Sequence, residues 1–312
     1  MIEFISCSVQ ENGYKRCMAV VSSKQFGGGW SDHKLDALRS YLNSYIIALS
    51  NSPFERVYID AFAGAGIRDV VKNAEEGLFD EQFPEEDAGY RHGSPLIALG
   101  MEPAFHRFVF IEQDPESLGI LREQVSDNFP DKLRLTSFMQ GDANEVLQGL
   151  AEEQWRTRRA VAFLRSDCPS RGVETIEKIA RTKAIDMWLL FPAMAVNRML
   201  PRAGSSRRSG LKKLTETFGS DEWQAYFYKK QEADLFGEEF MSKQPKVFEK
   251  LSEFITMRLN TVFEGATNKP LILKNSSGAP LFLLCFASGN PKGAPIALRI
   301  ANHIINKKNH GQ

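Results

Sequence analysis

The sequence predicts an α/β fold with a mostly parallel, Rossmann-like sheet, and three observations lead to that prediction. Short apolar segments alternate with amphipathic segments of helical period between residues 57 and 191. The first apolar segment, 57–60, runs directly into a turn that contains two glycines. Near the end of the chain, two apolar segments are separated by a short polar turn, which is the spacing of a β-hairpin. Alternating elements place helices on both faces of a parallel sheet, and the hairpin adds an antiparallel last strand.

The individual elements follow from local patterns. A helix is predicted over 30–49, where apolar residues share one face and Ser31 is placed to cap the first turn. It precedes the first strand, which ends at Asp60. The later elements are expected, in order, as strand 107–112, helix 116–128, strand 133–139, helix 144–153, strand 160–164, helix 175–181, strand 185–191, hairpin strands 270–274 and 281–287, and helix 296–305.

The 312 residues divide into four predicted parts. A poorly patterned N-terminal extension covers 1–25, a nucleotide-binding part covers 26–192, an inserted helical subdomain covers 193–268, and 269–312 completes the sheet. An acidic segment between the first strand and Gly93 is interpreted as a solvated loop, with a ligand-covering lid as the alternative. Such an insertion explains why the second strand comes late.

Composition restricts the possible functions. Lys and Arg number 39, as do Asp and Glu, so the chain as a whole has no electrostatic attraction to nucleic acid or membranes. The absence of a long apolar run predicts a cytoplasmic protein without membrane contact. The four cysteines and five histidines show no paired spacing, so neither a disulfide framework nor a metal site is expected.

The glycine turn predicts a nucleotide-type ligand site. Glycine tolerates positive φ and has no Cβ, so the backbone at Gly64 and Gly66 can approach a ligand closely. A dinucleotide is disfavoured because Asp69 occupies the position of the third glycine in that fingerprint. The next acidic strand end, Glu112, also comes too late for it.

Three acids at successive strand ends instead suit S-adenosylmethionine. Asp60 would meet the methionine ammonium group directly or through water, Glu112 the ribose hydroxyls, and Asp142 the adenine amino group. An ordinary tight turn at the two glycines is the alternative reading. The predicted cofactor-binding residues are Asp60, Ala61, Phe62, Ala63, Gly64, Gly66, Glu112 and Asp142.

The inserted subdomain combines basic and aromatic residues. Its aromatic side chains either form the subdomain's own core or stand beside basic charge as a nucleic-acid surface. The predicted nucleic-acid-binding residues are Arg207, Arg208, Lys212 and Lys213.

With these residues in view, the chain resembles the three-Cys-motif partner protein family over 26–307. The segments that carry the resemblance are Gly27-Gly28-Gly29-Trp30, the 58–66 strand and turn, Gly93-Ser94-Pro95, Phe110-Ile111-Glu112, Gly141-Asp142, 183–192 and Ala287-Ser288-Gly289-Asn290-Pro291. The resemblance implies a bacterial protein similar to class I methyltransferases, with a winged-helix-like insertion. It also implies a partner, a protein with a three-cysteine motif that is encoded nearby.

The end of the fourth strand departs from that family. The family usually continues into Asp-Pro and an aromatic residue, a motif that places a target amine in amino-methyltransferases, whereas this chain has Arg165 and reaches an acid only at Asp167. Either the site is rebuilt from Asp167 and Cys168 or methyl transfer is impaired. The residues expected to position a substrate are Asp167, Phe191, Pro192 and Asn197.

Two functions therefore remain open. The first is a methyltransferase with an unknown acceptor, nucleic acid being favoured. The second is a non-catalytic nucleotide- or nucleic-acid-binding partner protein in a bacterial defence or mobile-element system. Because the resemblance begins only after Met18, that residue is an alternative start to Met1.

Overall fold

A computed structural model describes residues 30–66, 93–165, 172–201, 208–230 and 241–310. The predicted N-terminal extension, the acidic segment, Asp167, Cys168 and Arg207 lie outside these residues.

Among the described residues, eight strands form one sheet in the order β3-β2-β1-β4-β5-β10, with β8 and β9 both paired to the outer side of β10. The first five strands are parallel, and β10 is antiparallel to β5. The fold is therefore Rossmann-like, as predicted. The strands are β1 Glu55–Asp60, β2 Arg107–Glu112, β3 Thr136–Gln140, β4 Arg158–Arg165, β5 Ile185–Phe191, β6 Tyr228–Lys230, β7 Met241–Lys243, β8 Gly265–Ala266, β9 Leu271–Lys274 and β10 Pro280–Ser288.

Helices cover both faces of the sheet, because successive side chains of a strand point to opposite faces. Tyr58 of β1 packs in one core cluster with the first, second, third and last helices. Ile59 packs in the other cluster, with the fifth, sixth and seventh helices. The helices are α1 Trp30–Ala48, α2 Ser94–Leu99, α3 Pro115–Asn128, α4 Pro130–Leu133, α5 Ala143–Ala151, α6 Gly172–Arg181, α7 Ala193–Met199, α8 Arg208–Phe218, α9 Glu222–Phe227, α10 Val247–Val262 and α11 Ala294–His310.

The inserted segment contains helices α8, α9 and α10 and the antiparallel pair β6 and β7. Its aromatic side chains pack together, as one of the two interpretations expected: the ring of Phe218 lies 5.1 Å from that of Phe254 and 5.8 Å from that of Phe227. The same ring lies 6.3 Å from that of Phe191 at the end of β5. The aromatic core of the insertion is therefore continuous with the core under the sheet. A winged-helix classification stays a prediction.

The described elements include α2 and β8, which were not predicted, and among the predicted strands the bounds differ most at the third. The strand predicted over 133–139 begins only at Thr136, because Pro130 starts the short helix α4, where a missing N–H at the first helical position costs nothing. None of the described helices has the length and apolar character needed to cross a bilayer.

Candidate functional site

The glycine turn is tied to the neighbouring strand by backbone hydrogen bonds. Ala63 N donates to the Ile111 carbonyl at 3.0 Å, and Gly64 N donates to Glu112 Oε2 at 2.8 Å. The Gly66 carbonyl accepts from Gly93 N at 2.8 Å, which connects the turn to the start of α2. The turn thus has a fixed position above β1 and β2, at the carboxyl edge of the parallel strands.

The two glycines of the turn have different surroundings. Both have left-handed backbone angles, with φ of +57° at Gly64 and +73° at Gly66. A Cβ at Gly66 would lie 2.6 Å from Leu121 Cδ1, so any larger residue there would force the buried Leu121 side chain of α3 to shift. In the part of the chain that the structure describes, a Cβ at Gly64 would meet no atom within 4 Å. Gly64 therefore faces open space, as a backbone position that approaches a ligand should.

Asp60, the last residue of β1, is fully buried. Its Oδ2 accepts from the Tyr58 hydroxyl at 3.0 Å, its Oδ1 accepts from Phe62 N at 3.3 Å, and Ser94 adds a side-chain hydrogen bond. Burial raises the pKa of Asp60 to about 6, although these hydrogen bonds and the charge of Lys34 oppose the shift. The carboxyl group thus holds the first residues of the turn and the start of α2.

Glu112, the last residue of β2, is half-buried and accepts three backbone N–H groups. Oε2 accepts from Gly64, and Oε1 accepts from Gln113 at 2.8 Å and from Asp114 at 3.0 Å. An ionised carboxylate has about four acceptor positions, so one remains for a further donor. The side chain is held beside the open space above Gly64.

Asp142 follows β3 and caps helix α5. Its Oδ1 accepts from Asn144 N at 2.9 Å and from Glu145 N at 3.1 Å. Among the described residues, no hydrogen bond is directed at Oδ2, and the side chain is half-buried. Because β1, β2 and β3 are neighbours in the sheet, the three predicted acids lie in a row along one edge.

The predicted substrate-positioning residues after β5 connect the sheet to the insertion. Phe191 is 2% exposed and packs on Phe218, and Pro192 is buried before α7. The Oδ1 and carbonyl oxygens of Asn197 accept from Lys243 Nζ at 3.0 and 3.1 Å. These side chains are engaged in structural contacts, and their role toward a substrate stays a prediction.

The predicted nucleic-acid-binding residues that are described lie on α8. Arg208 begins this helix, the Lys212 side chain is 81% exposed with Nζ 3.9 Å from Glu216 Oε1, and Lys213 is half-buried. At the end of β4, Arg165 is half-buried and lies opposite Leu190 in the sheet register.

Sequence reasoning missed the residues that hold the turn from behind. Tyr58 and Ser94 bind the Asp60 carboxyl group, and Gly93 binds the Gly66 carbonyl. The Gly93-Ser94-Pro95 segment did contain a signal, because Pro95 in a first turn is typical of a helix start. Its distance from the turn in sequence concealed the contact.

Comparison with known proteins shows similarity in the fold alone. Neither a family model nor a curated protein sequence matches the chain. A solved DUF519 protein of Legionella pneumophila str. Philadelphia 1 is similar at 16% identity and a TM-score of 0.40, with 76% of this chain and 93% of that one covered. The methyltransferase domain of bacterial CtHen1-C is similar at 10% identity and a TM-score of 0.37, with 81% and 99% covered. Spermidine synthase from Thermotoga maritima is similar at 10% identity and a TM-score of 0.40, with 84% and 60% covered. At these values the similarities support no statement about activity.

Proposed function

We propose that the protein binds S-adenosylmethionine at the carboxyl edge of β1, β2 and β3 and acts as a methyltransferase. The observation that carries the proposal is the Gly64 N–H bound to Glu112 Oε2 at 2.8 Å, with no atom of the described residues within 4 Å of the place where a Cβ of Gly64 would stand. Open α/β sheets bind their ligands at this edge.

The acids fit the chemical groups of that cofactor. The remaining acceptor position of Glu112 suits a ribose hydroxyl, and Oδ2 of Asp142 suits the adenine amino group. Because Asp60 is fully buried, we assign it an indirect role toward the methionine ammonium group, through its charge and through the position of Phe62, whose N–H it accepts. The carboxylate thereby supplies negative charge next to the turn.

When bound, this cofactor supplies an electrophilic methyl group. The chain's own contribution is to hold the ligand in one orientation, so that an incoming nucleophile is aligned with the reacting carbon. The rigid turn and the three carboxyl groups on adjacent strand ends are suited to that task. We propose nucleic acid as the acceptor, on the basis of the basic helix α8.

Calorimetric titration with S-adenosylmethionine tests the cofactor. We expect saturable binding by the wild type and a loss of about tenfold in affinity for Glu112→Gln, because the substitution removes the charge from the hydrogen bond to the ribose hydroxyl. Glu249→Gln, an exposed substitution on α10, is the matched control and should bind normally. A folded wild-type protein that gives no binding heat would refute the proposal.

The alternative is a binding protein that retains the pocket without turnover. Arg165 favours it, because a cation at the end of β4 replaces the acid of the amino-methyltransferase motif. Radiolabelled methyl transfer onto DNA, RNA and protein extracts separates the two, once binding of the cofactor is shown. Transfer to any of them supports the enzyme, whereas binding without transfer supports the partner role beside a three-cysteine protein.

A further inference from the structure

A cavity of about 260 Å³ lies at the opposite edge of the sheet from the glycine turn. The first residues of β4 and β5 form its floor, the second half of α1 forms one wall, and the start of α11 forms the other. Its volume equals that of roughly nine water molecules in the liquid, which corresponds to a ligand of about ten non-hydrogen atoms.

The floor of this cavity contains a buried carboxyl group. Asp186 is 8% exposed, its Oδ2 accepts from the Tyr41 hydroxyl at 2.7 Å, and its Oδ1 accepts from the Ser288 hydroxyl at 2.6 Å. Each oxygen has a second lone pair. Asp186 can therefore accept a hydrogen bond from a ligand while it keeps both protein partners.

The wall formed by α1 contains a buried hydroxyl without a partner. Tyr45 is 7% exposed, and its hydroxyl makes no hydrogen bond with any described residue. Tyr45 lines the cavity together with Asp186 and Arg159 of the polar floor. A buried hydroxyl left unpaired is unfavourable, so a ligand that accepts from it would gain free energy.

The remaining walls favour a flat, neutral ligand. The guanidinium group of Arg159 lies 3.7 Å above the centroid of the Phe54 ring and donates to the Trp155 and Arg158 carbonyls. Planar guanidinium and aromatic groups stack on planar partners. The positive charge of Arg159 offsets the negative charge of Asp186, and the third charged residue of the lining, Lys292, is exposed to solvent, so inside the cavity neither a cation nor an anion is favoured.

From these contacts we infer a second ligand site for a small, neutral heteroaromatic compound of nucleobase size. The ligand presents an N–H donor to Asp186 and an adjacent ring acceptor to the Tyr45 hydroxyl, and its apolar faces contact Phe54 and the aliphatic residues of α11. This site is independent of the cofactor site, because the two lie at opposite edges of the sheet.

Ligand-observed NMR and calorimetry with adenine test the inference, with purine as the matched probe that lacks the amino donor. We expect adenine to bind saturably and purine to bind about tenfold more weakly, as the loss of one hydrogen bond implies. Ala48→Trp, at an exposed position of α1 on the cavity rim, should abolish adenine binding by filling the entrance. Asp142→Asn, at the residue assigned to the adenine amino group of the cofactor, should leave this binding unchanged; loss of adenine binding in this variant would place adenine at the cofactor site and overturn the inference.

Tyr45→Phe separates a ligand role from a structural one. It removes only the unpaired hydroxyl, so adenine affinity should fall about tenfold while the melting temperature stays the same or rises. A lower melting temperature with unchanged adenine affinity would show that the hydroxyl serves the fold. Absence of saturable adenine binding, or binding that Ala48→Trp leaves intact, would overturn the inference.

Discussion

The two glycines of the turn give the sharpest test, because alanine at each position should have a different effect on stability. Gly66→Ala forces an L-residue to φ of +73°, which costs about 1–2 kcal/mol. It also places a methyl group 2.6 Å from Leu121 Cδ1, and overpacking of this kind costs about 1–3 kcal/mol. Alanine also restricts the unfolded chain more than glycine does, which increases the free energy of unfolding by about 0.4–1 kcal/mol. The expected net loss is about 2–4 kcal/mol.

Gly64→Ala is the matched control. It carries the same backbone cost at φ of +57° and the same gain in the unfolded state, but its methyl group meets no atom within 4 Å. Its expected loss of stability is about 1 kcal/mol or less. If Gly64 faces the cofactor, the new methyl group should also weaken S-adenosylmethionine binding.

Denaturant unfolding measures both losses, provided that the slope of the transition is the same in all variants. The double variant Gly66→Ala with Leu121→Ala tests the cause, because truncation of Leu121 removes the clashing atom. The two substitutions should then cost about 1–3 kcal/mol less together than the sum of the single losses. Equal losses for the two glycine variants, or strict additivity in the double variant, would refute the reasoning.

Four further predictions concern pH, the insertion and nucleic acid. Burial raises the pKa of Asp60 to about 6, and only the ionised carboxylate attracts an ammonium group. The affinity for S-adenosylmethionine, measured by calorimetry, should therefore fall as pH decreases from about 7 to about 5. An affinity that does not depend on pH would contradict this assignment. Burial likewise raises the folded pKa of Asp186 from 3.8 to about 6, so the folded state retains the proton and this group's contribution to stability should fall by about 2 kcal/mol as pH rises from about 4 to about 6. In urea unfolding, Asp186→Asn should remove that contribution and leave the similar one of Asp60; an unchanged pH dependence would contradict the assignment. Phe254→Ala should decrease the free energy of unfolding by about 3–5 kcal/mol. Because the insertion and the sheet share one aromatic core, calorimetry should show a single transition at a lower temperature. A separate low-temperature transition would show that the insertion unfolds alone. If α8 binds nucleic acid, the double variant Lys212→Ala with Lys213→Ala should weaken binding to any DNA sequence. The slope of the logarithm of the binding constant against the logarithm of the salt concentration should decrease by about 2, as measured by fluorescence anisotropy. An unchanged slope would exclude these lysines from the interface.

Most of the sheet was predictable from the sequence because its strands are buried on both faces. β2 and β5 have the predicted bounds, since mainly apolar runs such as Ile185–Phe191, in which Asp186 is the one polar residue, are typical of a central parallel strand. The row of acids at Asp60, Glu112 and Asp142 followed from the rule that parallel strands end at one edge. The hairpin of β9 and β10 is also confirmed.

The remaining features depend on contacts between distant parts of the chain. The Asp186 carboxyl group binds Tyr41, 145 residues earlier, and Ser288, 102 residues later. An acid in an otherwise apolar strand was the available signal, but only the fold shows which hydroxyls surround it. The roles of Tyr58 and Ser94 behind Asp60 were concealed for the same reason.

The position of β10 has a consequence for synthesis of the protein. Five parallel strands are complete once residue 191 has been made, yet the partner of β5 lies at 280–288. Until then β5, all seven residues of which are buried in the folded protein, is an unprotected sheet edge with an apolar surface. Edges of this kind pair readily with other chains. Nascent or truncated chains that end before 280 should therefore aggregate, and the last tenth of the sequence protects the rest of the sheet.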